Sequence, residues 1–340
     1  MNVRRRFRAV GALLLFASGC VDYDQQSALN PAGPQAGSVH RLWYLMFAIA
    51  TVVYVVVIAT LLLVMWRRQR VQLEADETRS ADREARAKRA VILAAVATVA
   101  TLFVILFFDL GVARELTQLA TSPALSIRVT GHQWWWEVEY EDSVPQQRVR
   151  TANEIHLPIG QPVLVKLESH DVIHSFWVPN LAGKRDLIPG HHTQTWIRAD
   201  RPGVYRSQCA EFCGVEHAKM SLFVVAEPRE QFDAWLARQR APAALPSDTL
   251  AARGQLVLEA NSCGLCHTVT STLARGRVGP DLTHVGSRLS LAAGTLPNTP
   301  GYLAGWIVDP QAIKPGVQMP ANALSPTDLR ALVEYLTRLR

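Results

Sequence analysis

The chain has 340 residues, 49% of them hydrophobic, and a formal net charge of +6. That length gives room for two or three domains, and that apolar content excludes a largely disordered protein. Four of the positive charges (Arg4, Arg5, Arg6 and Arg8) lie in the first 19 residues, which hold no acid; without them the charge falls to +2, and no basic patch interleaved with aromatics points to nucleic acid.

Residues 1–20 read as a secretory signal peptide. The arginines form its basic head, and Ala9–Ala17 is an apolar core too short to cross a bilayer. Ala17-Ser-Gly-Cys20 resembles a bacterial lipobox, with Ala17 where a large aliphatic residue is usual, so a lipid on Cys20 is expected. Residues 21–39, with Pro31, Gly33, Pro34 and Gly37, read as a linker. Residues 40–112 are expected to form a two-helix transmembrane hairpin. Trp43–Trp66 is 24 residues without a charge, framed by Trp at both ends. At ~1.5 Å per residue it exceeds a hydrocarbon core of ~30 Å. Ala90–Phe108 is a second apolar run, and the stretch 67–89 between the two carries eight Lys or Arg against five acids. The positive-inside rule puts that stretch in the cytoplasm and both flanks outside.

From Leu125 the pattern turns to short β-like runs: Leu125–Thr130, Trp134–Tyr140, Val163–Glu168, Thr193–Arg198 and Ser221–Ala226. Pro and Gly separate them, which predicts an antiparallel sandwich or barrel within residues 120–240. Trp134, Trp135 and Trp136 cannot all face one core from a strand, so at least one is expected at the surface or a membrane interface. Pro228–Arg240 reads as a short amphipathic helix with Phe232, Trp235 and Leu236 on one face. Residues 241–249 read as a linker, and residues 250–340 as the last domain. His132, His191 and His192 read as structural hydrogen-bonding residues.

Five cysteines are present: Cys20, Cys209, Cys213, Cys263 and Cys266. Cys209-Ala-Glu-Phe-Cys213-Gly-Val-Glu-His217-Ala-Lys-Met220 puts two thiols, an imidazole and a thioether in one loop between strand-like runs. Soft sulfur ligands together with His suit copper. A mononuclear blue-copper site takes one Cys; a second fits a dinuclear site bridged by both sulfurs, with His174 as the second His. A Cys209–Cys213 disulfide and a zinc site are the competing readings, although Met is a poor zinc ligand. Cys263-Gly-Leu-Cys266-His267 is the haem c attachment signature: two thiols add across the porphyrin vinyl groups and the His falls on the iron axis. Met319, the only Met downstream, is the expected second axial ligand. Ser325 and Pro326 open a final helix with an apolar stripe of Leu329, Leu332, Val333, Leu336 and Leu339.

With His174-Ser-Phe-Trp177 upstream, the sulfur loop resembles the dinuclear copper A centre of cytochrome c oxidase subunit II. The fused haem signature makes nearly the whole chain similar to subunit II of bacterial caa3-type oxidases. The resemblance implies a multidomain chain: a two-helix transmembrane hairpin, an all-β cupredoxin-like Greek-key sandwich and an all-α class I cytochrome c domain. It implies copper ligation by His174, Cys209, Cys213, His217, Met220 and the main-chain carbonyl of Glu211. The Glu211 side chain matches a residue that binds magnesium at the subunit I boundary. Trp134 matches the family's electron-input residue, and Gly279-Pro280 matches the segment whose Pro280 carbonyl orients the proximal His267. The implied function is electron transfer from a reduced cytochrome c-type donor or a quinol–cytochrome c reductase, through haem c and copper A, to haem-copper oxidase subunit I, which assembles with subunit III. Oxygen would be reduced there, with proton pumping, in the bacterial inner membrane. The spans of this chain hold no His cluster, so that chemistry belongs to a partner. The same role for a copper A-type nitric oxide reductase, and a stand-alone membrane-anchored carrier, are the alternatives. One departure stands out. The family's Glu before the second span, in a Glu-x-x-Trp-like context, is represented only by Glu84 in a charge run without Trp, which reads as solvated.

Overall fold

The structure is a computed structural model describing residues 25–68, 77–117 and 125–340. The signal peptide and Cys20 lie outside the described residues. Helices α1 (Pro34–Arg68) and α2 (Glu77–Thr117) pack side by side, and Arg41 pairs with Glu115 at 3.5 Å where α1 begins and α2 ends. Their apolar stretches reach mean hydropathies of 2.8 and 2.9, long and apolar enough to cross a membrane, and no part of the described chain covers them. Glu84 sits exposed on α2.

The linker expected at 21–39 is corrected over its described part. Pro34 starts α1, where a proline fits the first helical turn. Residues 25–33 are strapped to the β domain through their backbone: Ala32 N–H donates to Asn180 O at 2.6 Å, Arg206 N–H to Gln25 O at 2.6 Å and Asp200 N–H to Ala32 O at 2.7 Å. Main-chain bonds leave no side-chain pattern, so composition alone suggested a loose tether.

The β domain is built from β1 (Leu125–His132), β2 (Trp135–Tyr140), β3 (Val149–Ala152), β4 (Glu154–Pro158), β5 (Val163–Ser169), β6 (His174–Phe176), β7 (Arg185–Leu187), β8 (Thr193–Ile197), β9 (Gly203–Gln208) and β10 (Ser221–Glu227). One sheet has the order β3-β2-β1-β5-β8, a second β4-β10-β9, and β6-β7 form a ribbon. Alternate residues of β1, β2 and β5 are buried, so Ile127, Val129, Trp136, Val138, Val165 and Leu167 fill one core with Leu157, Leu222 and Val224 of the second sheet. The sandwich is as expected, but its pairing is not antiparallel throughout: β1–β5 and β10–β4 run parallel. The reason is the crossover at Asn153, with φ +60°, where the chain leaves the first sheet at β3 and joins the second at β4. Asn153 pins that corner, since its Oδ1 accepts from Trp136 N–H at 2.8 Å and its own N–H donates to Trp136 O at 2.9 Å.

Helix α3 (Arg229–Arg240) buries Phe232 and Trp235 against the sandwich, with Trp235 stacked on His156 at 4.1 Å. The haem-signature domain holds α4 (Thr249–Ala260), α5 (Cys263–Cys266), α6 (Pro300–Val308), α7 (Pro310–Ile313) and α8 (Pro326–Arg338), plus a small ribbon of β11 (Ser290–Leu291) and β12 (Leu296–Pro297). Asp248 caps α4 and Ser325 caps α8, each accepting a main-chain N–H. Gly254 lets α4 and α8 cross closely; a Cβ there would collide with Ala331 O and stand 2.6 Å from Tyr335 Cβ.

Candidate metal and haem centres

Antiparallel β9 and β10 hold the ends of the loop 209–220. Cys209 N–H donates to Met220 O at 2.9 Å, so the first and last soft donors sit side by side. Ala210 N–H donates to Ser175 O at 3.0 Å and brings β6, with His174, against the loop. Cys209 Sγ lies 3.7 Å from Cys213 Sγ, 3.9 Å from His174 Nδ1 and 3.2 Å from Glu211 O. Cys213 Sγ lies 3.6 Å from His217 Nδ1 and 3.7 Å from Met220 Sδ. All six donors named from the sequence therefore converge.

Sulfurs 3.7 Å apart are not a disulfide, which needs ~2.05 Å, and both cysteines are free. Two thiolates bound at ~2.3 Å to a shared metal stand at most ~4.6 Å apart, so the spacing fits bridging sulfurs. His174, Cys209, Cys213 and Met220 are buried, which keeps water from the donors. The hydrogen bond from Cys213 pulls the Cys209 thiol down to about 4 against the opposing effect of burial. The same contact and burial push Cys213 up. Thiolate is the state a metal binds.

His174 is oriented by a residue the sequence reading missed. Asp171 Oδ1 accepts from His174 Nε2 at 2.8 Å, which leaves Nδ1 facing Cys209. Burial alone would lower the His174 pKa, but the bonds to Asp171 and Cys209 raise it. The only signal in the sequence was an acid three residues before the His. Gly131 makes room for the ring, since a Cβ there would stand 2.7 Å from His174 Cδ2.

Of the three tryptophans, Trp136 is fully buried in the sandwich core and Trp134 is 8% exposed. Trp135 is the one that leaves the core, half-buried and stacked on His132 at 4.3 Å. Trp134 turns its indole onto the sulfur loop: its Nε1–H donates to Cys213 O at 2.9 Å, beside Gln133 Nε2–H at 2.8 Å. Gly214, with φ +115°, is required there, because a Cβ would stand 2.9 Å from Trp134 Cζ2.

A cleft of about 290 Å³ in the last domain is lined by Cys263, Cys266, His267, Pro280 and Met319. Pro280 O accepts from His267 Nδ1 at 2.7 Å, leaving Nε2 for a metal. Burial pulls the His267 pKa down, so the ring is the neutral form that ligates. Gly279 allows this approach; a Cβ there would stand 2.7 Å from His267 Cε1. Arg288 also lines the cleft, and its buried Nε has no hydrogen-bond partner among the described residues. Two thiols, a neutral His, a thioether and a buried cation with one unpartnered N–H among the described residues fit a covalently held haem with its carboxylates.

A family profile for cytochrome c oxidase subunit II, periplasmic domain, matches residues 125–227, and one for cytochrome c matches residues 251–340. "Cytochrome c oxidase subunit 2" of Alkalihalophilus pseudofirmus is 35% identical over 344 residues, covering 98% of this chain and 97% of that protein. The chain belongs to the cytochrome c oxidase subunit 2 family. The protein of the same name from Bacillus sp. is 34% identical over 226 residues, covering 63% of this chain and 62% of that one. The solved periplasmic domain of subunit II of cytochrome oxidase from Bradyrhizobium japonicum is 27% identical, with a TM-score of 0.34, covering 36% of this chain and 97% of that one. The two matched families imply copper A and haem c as the bound groups, and the apolar helices suggest the membrane anchor of this subunit 2.

The copper and haem domains share a seam that the sequence did not reveal. Trp134, which bonds to the copper loop, also lines the haem cleft. The segment from Lys314 to Met319 runs along it: Val317 packs on the sandwich core, and a Cβ on Gly316 (φ +90°) would stand 3.5 Å from Trp134 Cη2 and from Val215 Cγ2. Ser221 N–H donates to Ala293 O at 3.0 Å, and Leu289 N–H to Glu154 Oε2 at 2.8 Å. Lys314, only 1% exposed, donates to Trp134 O at 2.9 Å, Lys219 O at 2.9 Å and Ala292 O at 3.2 Å.

Proposed function

We propose that this chain is the electron-input subunit of a haem-copper oxidase, in which electrons from a reduced cytochrome c-type donor pass through haem c and copper A to subunit I, where oxygen is reduced to water with proton pumping in the bacterial inner membrane. His174, Cys209, Cys213, His217, Met220 and the Glu211 carbonyl hold the copper. Cys263 and Cys266 hold the haem, with His267 and Met319 on its axis. Cys and Met soften the copper site, and buried surroundings exclude water from it. Asp171 and Pro280 play equivalent parts, each fixing which imidazole nitrogen is free to ligate. Glu211 is exposed; magnesium bound to its carboxylate would draw its other ligands from subunit I.

One observation carries the reading: Trp134 bonds to the carbonyl of Cys213 while its ring lines the haem cleft, so one side chain touches both candidate centres. The test is rapid mixing of a reduced cytochrome c-type donor with the purified oxidase complex. Haem reduction preceding copper reduction, with oxygen consumed, is expected. Copper reduced with the haem left oxidised, or electrons consumed with nitric oxide and not with oxygen, refutes it.

A further inference from the structure

Lys314 sits where the two candidate centres meet, five positions before Met319. Its ammonium is 1% exposed and donates to three main-chain carbonyls: Trp134, Lys219 and Ala292. Trp134 is the side chain that touches the copper loop and the haem cleft. Lys219 is the neighbour of Met220. Ala292 belongs to the haem domain, next to the loop that Ser221 grips through Ala293 O. The contact is reciprocal. Lys219, half-exposed, sends its own Nζ back to Ile313 O at 2.6 Å, so two lysines cross the seam in opposite directions. Three carbonyls converging on one ammonium fix a point in space, whereas apolar contacts alone permit sliding.

Burying a cation without a hydrogen-bonded carboxylate is costly, and an apolar side chain would cost less to bury. Removing the ammonium would take a donor from each of three carbonyls along a seam that carries the Trp134 main chain; the Thr295 hydroxyl would still reach Ala292 O at 2.8 Å and Lys219 O at 3.4 Å. The charge also faces the copper side: burial, the larger effect, lowers the Lys314 pKa to about 8, while Glu216 and Cys213 act to keep the ammonium charged. A positive charge close to a redox centre favours its reduced form.

We infer that Lys314, crossed with Lys219, is a positioning residue for electron transfer between haem and copper: it locks the Met319 loop, Trp134 and the copper loop into one unit and raises the copper potential. This rests on the function proposed above. The test is Lys314→Met in the intact oxidase complex, reading optical signatures of both centres, copper midpoint potential and the haem-to-copper rate after a light-triggered electron injection. The expected result is intact signatures, a transfer rate lower by about tenfold or more, and a lowered copper potential. Lys314→Arg keeps charge and donors and restores both readouts towards wild type. Wild-type rate and potential in Lys314→Met overturn the inference. Where that variant fails to assemble, Lys219→Met removes the bond to Ile313 O together with the ion pair to Glu216 at 3.1 Å; it is expected to slow transfer by a few-fold, and an unchanged rate overturns the inference. Failure of the underlying functional reading is distinguishable, because the wild-type complex itself would then lack one of the two signatures.

Discussion

Replacing Asp171 by Ala removes the acceptor that orients His174. In the structure Asp171 Oδ1 accepts from His174 Nε2 at 2.8 Å and from Val172 N–H at 2.7 Å, and Oδ2 accepts from Gln133 N–H at 2.7 Å. His174 is fully buried, so its Nε2–H finds no water in exchange. A buried hydrogen bond to a charged group contributes ~1.5–3 kcal/mol. Partners that orient a ligating His typically change metal affinity by ~10–100-fold, which is ~1.4–2.7 kcal/mol. Asp171→Ala is therefore expected to weaken copper binding by that factor and leave the haem untouched. The assay is copper competition against a graded chelator, followed by the copper absorption of the full chain with the haem band as internal control. Copper affinity within about twofold of wild type would refute the orienting role, because even the low end of that range predicts ~10-fold.

Met220→Leu is expected to keep copper and shift its midpoint potential, since an axial thioether tunes more than it holds; loss of copper as complete as in Cys213→Ser contradicts this. Met319→Ala should turn the six-coordinate haem into a five-coordinate one by optical spectroscopy, and an unchanged spectrum would remove Met319 from the axis. Gly254→Ala should destabilise the haem domain by ~1–3 kcal/mol through overpacking of α4 on α8, read as a lowered unfolding midpoint. His156 lies between Glu154 at 2.9 Å and Glu227 at 2.8 Å; burial opposes its charge, but these two acids raise its pKa. A raised folded-state pKa gives stability that is complete below the unfolded value of ~6.5 and is lost as pH rises through the folded value. The difference in unfolding midpoint between wild type and His156→Gln should therefore shrink with rising pH; a constant difference refutes it.

What the sequence disclosed follows from which interactions leave a pattern in it. The candidate ligands were legible because chemistry restricts soft-metal donors to Cys, His and Met at tight spacing, and 209–220 is one loop between neighbouring strands. The core strands β1, β2 and β5 were legible through their alternation. Residues 25–33 were misread because main-chain bonds, and side-chain bonds to residues far along the chain such as Arg206 to Gln26 and Arg201 to Asn30, strap them down, and neither leaves a local pattern. The parallel pairings were missed because Asn153 switches sheets through one left-handed residue. Asp171 and Lys314 were missed for a further reason: an acid near a His and a Lys among prolines are unremarkable until the fold places one on Nε2 and the other on three carbonyls. The haem–copper seam joins segments nearly two hundred residues apart, Trp134 with Lys314, and no local pattern encodes it.

The central claim is that one chain carries a dinuclear copper centre and a haem c side by side. Electron paramagnetic resonance of the oxidised, metal-loaded full chain tests it most directly. The account predicts one unpaired electron shared by two equivalent copper nuclei, together with a low-spin haem signal. Hyperfine structure from a single copper, or no copper signal beside an intact haem, would contradict it.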